Sequence, residues 1–93
     1  MEWGRRMADT LGLLEEAIQL ARDLGYQVRQ EPLGELPGGF CQVSGRRQVI
    51  LNLEHSAAER LDRLLGAIAA DPGIAAEPKS RLLAGRLRRV AGG

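Results

Sequence analysis

At Gly25 the hydrophobic period of this chain switches from that of a helix to that of a strand, and the switch fixes much of what the fold can be. Upstream, Leu14, Ala17, Ile18, Ala21 and Leu24 share one side of a helical projection, with Leu11 at its margin. Glu15, Glu16, Gln19, Arg22 and Asp23 share the other. The pattern predicts a helix over about residues 3–24, stopped by Gly25 because glycine readily takes the positive φ that a helix end often needs. Leu13 and Leu20 widen the apolar sector towards half the circumference, more than one sheet face usually covers. Trp3 and Met7 fall in the same phase and extend it. Downstream, Tyr26 to Gln30 alternates apolar and polar residues, as a half-buried strand does.

The rest of the chain supplies partners for these two elements. Residues 31–39 hold two prolines and three glycines and read as a loop. Strands follow at about 40–43 and 48–53, joined through the Ser44-Gly45-Arg46-Arg47 turn as a hairpin. The continuous run Val49-Ile50-Leu51 marks a central strand covered on both faces. Ser56-Ala57-Ala58-Glu59 is a capping box opening a helix over 57–70, whose stripe is Ala57, Leu61, Leu64, Leu65 and Ile68. A last helix is expected over 78–90, with Pro78 in its first turn and Leu83, Leu87 and Val90 as its apolar face. The reading is a single α+β domain, 1–93, of order α-β-β-β-α-α. A three-stranded antiparallel sheet packs against helices, the first two on one face; the last lies on the other face, at an edge, or against the wide apolar sector of the first helix, which otherwise meets a partner or a second copy.

Composition narrows the chemistry. Trp3, Tyr26 and Phe40 are the only aromatics, so the core is built from Leu, Ile, Val and Ala. One cysteine excludes an internal disulfide. The chain has no apolar h-region at its start and no run long enough for a membrane span, so a cytoplasmic protein without membrane contact is expected.

Cys41 and His55 are the candidates for a nucleophile and its base, as a thiolate–imidazole pair across the hairpin. The competing reading makes Cys41 a small apolar strand residue and His55 a polar linker. One histidine, one cysteine and scattered carboxylates give no set at metal-ligand spacing, so neither metal nor cofactor is expected. Gly38-Gly39 lacks the Lys-Ser/Thr and the helix of a phosphate loop and serves a turn into a strand.

Charge is uneven. Residues 1–78 carry eight basic and twelve acidic side chains; residues 79–93 carry five basic and none acidic. Arg81, Arg88 and Arg89 are the candidate nucleic-acid contacts, although on a helix the basic residues disperse instead of gathering on one face. Arginine near a helix end also suits the helix dipole.

The stretch from Gly38 to Asn52, with its Gly-Gly-x-Cys strand, glycine turn and Val-Ile-x-Asn strand, resembles the core of small uncharacterised bacterial proteins to which no activity is assigned. More distantly, helix, hairpin, strand and helix are similar to the core of zincin-type metallopeptidases. That resemblance would imply His-Glu-x-x-His on the second helix, where this chain has Leu64-Leu65-Gly66-Ala67-Ile68, so it implies a scaffold without its metal.

Three functions follow as expectations. The first is a non-enzymatic interaction or self-associating domain, its partner surface drawn from Trp3, Met7, Leu13 and Leu20. The second is a nucleic-acid or ribosome accessory protein using the basic C-terminal helix. The third is a thiol enzyme at Cys41.

Overall fold

The computed structural model describes the backbone of residues 2–92 and the side chains of residues 9–90. Helix α1 (Glu2–Asp23) ends as its sequence predicts. Gly25 has φ +95°, its amide donates to the Arg22 carbonyl, and the Tyr26 amide donates to that of Ala21. This is the paired-bond helix stop that glycine makes cheap. Strand β1 (Gln27–Glu31) follows directly.

Strands β2 (Gly39–Val43) and β3 (Arg46–Asn52) form the expected hairpin, on a turn tighter than expected. Ser44 and Gly45 both have positive φ, at +51° and +79°, which is the two-residue geometry matching the twist of the flanking strands. Arg46 and Arg47 therefore belong to β3 and not to the turn.

The sheet is mixed, where an antiparallel one was expected. Its order is β1-β3-β2, with β3 parallel to β1 and antiparallel to β2. The reason lies in residues 32–38, which cross the end of β3 instead of turning back beside β1. The crossing spans two strand spacings, roughly 9–10 Å. Asn52, at the end of β3 and only 1% exposed, holds it in place. Its Oδ1 accepts from the amides of Leu33 and Glu54, and its Nδ2 donates to the carbonyls of Gly34 and Leu36, at 2.9–3.0 Å. Strand β3 is central, as its sequence predicts, but its faces differ. Val49 and Leu51 are buried beneath the helices, while Ile50 on the reverse is only partly covered.

Helix α2 (Ala57–Ile68) stops two residues short of its expected end. The Ser56 hydroxyl accepts from the Glu59 amide, as the capping box requires. The return bond differs: the same hydroxyl donates to the Glu59 carboxylate. Leu61, Leu64, Leu65 and Ile68 are fully buried, each burial stabilising by about 1.5–3 kcal/mol.

A single 3₁₀ turn, Ile74–Ala76, precedes helix α3 (Arg81–Gly92). Pro78 lies outside that helix, because Ser80 captures the cap: its hydroxyl accepts from the Leu83 amide. Ser80 also ties α3 to α1, donating through its amide and hydroxyl to the two Glu16 oxygens at 2.7 and 2.6 Å.

Helix α3 packs on α1 and α2, with Leu83 and Leu87 buried. Of the places open to the last helix, the structure takes the one against α1, shared with α2, and not the far face or the edge of the sheet. The wide apolar sector of α1 now has its explanation. Among the described residues, Leu14, Ala17, Ile18, Leu20 and Ala21 are buried where α1 packs on β1, α2 and α3, while Leu11 stays half-exposed. No helix among the described residues is long and apolar enough to cross a membrane.

Candidate functional site

Two surfaces stand out, one polar and one apolar. The polar surface lies where α1 ends and β1 and β3 begin. Arg47, on the helix-facing side of β3, reaches across that end of the domain. Its Nη1 donates to Asp71 Oδ2 at 2.6 Å, its Nη2 donates to the Leu24 carbonyl, and its guanidinium carbon lies 4.3 Å from the centre of the Tyr26 ring. Tyr26 donates its hydroxyl to the same Asp71 oxygen at 2.9 Å. Asp71 Oδ1 accepts from the Gly73 amide. One carboxylate thus joins segments distant in sequence.

The Gly73 amide bond, reinforced by Tyr26 and Arg47, holds the Asp71 carboxyl below its ordinary pKa of 3.8 despite the opposing cost of burial. Burial, aided by the hydrogen bond to Asp71, pushes the Tyr26 phenol above its ordinary 10.0. A depressed carboxyl stabilises the fold fully above its unfolded pKa, and that contribution disappears as pH falls through the folded value. Urea midpoints measured from pH 7 to pH 2 should therefore show the native protein losing stability below about pH 4. Asp71→Asn should start less stable at pH 7 and lose less over the same interval.

Beside this cluster is an open hollow of about 670 Å³, lined by Arg22, Gln27, Arg46 and Arg47 among others. The side chains of Arg22 and Arg46 make no hydrogen bond or ion pair among the described residues. The arginines named from the sequence fare differently. Arg81, Arg88 and Arg89 are exposed on α3. Their neighbours Arg86 and Lys79 are occupied, the first by Asp62 and the second by the carbonyls of Ile74 and Glu77.

The apolar surface is β2. Phe40 and Gln42 share the helix-facing side with Val49 and Arg47, while Cys41 and Val43 share the reverse with Gln48 and Arg46. Helices α1 and α2 lie chiefly over β1 and β3, so Phe40 remains 50% exposed, making an edge-on contact to Tyr26 at 6.0 Å. Val43 is 52% exposed. The strand's reverse side opens into a shallow hollow of about 320 Å³ lined by Leu33, Leu36, Pro37, Cys41 and Ile50 among others. In the two-residue hairpin Val43 and Arg46 exchange ladder bonds, as do alternate pairs beyond them, so Phe40 and Gln42 point their backbone groups outward. No hydrogen bond reaches those groups among the described residues.

The structure does not bring Cys41 and His55 together. Cys41 stands opposite Gln48, whereas His55 lies past Asn52, and the four steps of β3 from Gln48 to Asn52 alone span roughly 13 Å. His55 Nδ1 is buried without a hydrogen-bond partner, and no nucleophile is aimed at it. No group of three or more His, Cys, Asp or Glu side chains able to hold a metal ion occurs among the described residues.

Of the partner-surface residues, Leu20 is corrected: at 3% exposure it is used inside the domain. Leu13 is half-buried against the core, and the side chains of Trp3 and Met7 lie outside the described residues. Sequence reasoning missed the Arg47–Tyr26–Asp71 cluster, whose members are far apart in the chain. It also missed the open edge, because edge position depends on strand order. Among known proteins, no family model, no curated protein and no solved structure matches this chain.

Proposed function

We propose that this chain is a non-enzymatic protein-interaction domain that receives a partner's strand along β2. The observation that carries the reading is an edge strand, Gly-Phe-Cys-Gln-Val, without a charge or proline and with its outward backbone groups unpaired. Such edges are ordinarily blunted, and β1 is, carrying Arg29 and Glu31. Main-chain bonds to an edge supply affinity, and an adjoining apolar hollow can receive an alternate side chain of the added strand. The interaction surface thus shifts from α1, whose sector is largely spent on α2 and α3, to β2.

The test compares the native chain with Phe40→Lys, which charges the edge at an already half-exposed position. Circular dichroism should be unchanged, while association, with itself or with a protein recovered from cell extract, should weaken at least roughly tenfold. Association of undiminished strength in the variant would overturn the reading.

A nucleic-acid role has one observation in its favour, the basic hollow with Arg22 and Arg46 unpaired. It would use that end of the domain more than α3. Retention on heparin that falls in Arg22→Gln/Arg46→Gln, with Phe40→Lys unchanged, would favour it over the strand-addition reading.

A further inference from the structure

We infer that the strand received by β2 is β2 of a second copy, paired antiparallel across a two-fold axis at Cys41 to make a continuous six-stranded sheet. The inference rests on the strand-addition reading and names its partner.

Three features carry it. The first is backbone phase. With Phe40 and Gln42 directed outward, a two-fold at Cys41 sets Phe40 opposite Gln42 of the second copy, and each pair exchanges both main-chain bonds. The two Cys41 residues then form the close, non-bonded pair on the axis, with Cα atoms roughly 4.5 Å apart.

The second is side-chain fit. On the reverse face, exposed Val43 lies opposite Gly39 of the other copy, which has no side chain to obstruct it. On the helix-facing side the two half-exposed Phe40 rings become diagonal neighbours, within reach of each other.

The third is charge. Strand β2 is neutral, Glu35 precedes it and Arg46 and Arg47 follow it. An antiparallel pair directs the Glu35 end of one copy towards the Arg46 end of the other, Arg47 being held by Asp71 within its own copy. A parallel pair would set like against like.

The register makes the test specific. Light scattering on the full chain near 100 µM should give a dimer. Treatment with the oxidant diamide takes two electrons and two protons from the Cys41 thiols, forming an inter-chain disulfide and the hydrazine, and should link the native dimer rapidly. A 4.5 Å Cα separation lies within the range a disulfide bridges. In Cys41→Ser/Val43→Cys, a thiol at a more exposed position sits two residues off the axis and should link at least roughly tenfold more slowly.

Cys41→Glu places like charges opposite each other and, with circular dichroism confirming an intact fold, should weaken dimerisation by roughly tenfold or more; Cys41→Ser should not. A monomer at this concentration, or equal linking at positions 41 and 43, would overturn the inference. If the protein is monomeric yet Phe40→Lys loses another captured partner, self-pairing fails while the strand-addition reading stands.

Discussion

Replacing Asn52 with leucine should lower the free energy of unfolding by about 3 kcal/mol, measured as a fall in the urea midpoint at unchanged slope. Leucine keeps the branching and the number of side-chain heavy atoms, although it is bulkier, so the loss is chiefly polar in origin. Four hydrogen bonds are removed together, each worth about 1 kcal/mol net, and their backbone partners at Leu33, Gly34, Leu36 and Glu54 are left in a half-buried place. For a domain this small that is a large share of a total of about 5–15 kcal/mol. Amide exchange at Leu33 and Glu54 should accelerate beyond what the global change accounts for, since both donors lose their acceptor. A variant as stable as the native protein would mean that the crossing loop is held by something other than this side chain.

Gly38→Ala should cost a similar amount, about 3 kcal/mol, for a different reason. Gly38 has φ +76°, and a Cβ there would stand 2.4 Å from the carbonyl oxygen of Ile50. The left-handed backbone alone costs a residue with a Cβ about 1–2 kcal/mol, and moving loop or strand to relieve the overlap adds at least 1 more. Gly34 provides the control. Its φ is +62°, but a Cβ there meets nothing within 4 Å, so Gly34→Ala should carry only the conformational part, about 1–2 kcal/mol. Equal losses in the two variants, by urea or thermal melts, would remove the close approach as a cause.

These two residues also mark the limit of what the sequence discloses. Helix positions were legible because burial repeats locally. Leu61, Leu64, Leu65 and Ile68 are buried as their spacing requires, and Gly25 ends α1 by the rule that favours glycine there. The hairpin was legible from Ser44-Gly45 and its flanking apolar runs. Strand order was not, because alternation reports which face a residue takes and says nothing of which neighbour lies beside it. The segment over residues 31–39 looked like any proline- and glycine-rich connection. Its crossing depends on Asn52, a residue that sequence reading treated merely as the end of a strand. Pro78 misled in a similar way: proline suits a helix start, but Ser80 two residues later caps α3 and anchors to Glu16 as well. The same limit applied to the candidate surfaces. Arg47, Tyr26 and Asp71 converge only once three elements are packed, whereas the basic run from residue 79 was visible at once, together with its dispersal around a helix.

Strand β3 has neighbours on both flanks, helices against one face and a connection laid across its far end. Val49 and Leu51, on its helix-facing side, are flanked by strands and covered by helix, whereas Ile50 on the reverse stays partly open. Exposing Val49 or Leu51 therefore requires parting β3 from β1, β2 and α2, so hydrogen exchange in this seven-residue segment should be among the slowest in the domain.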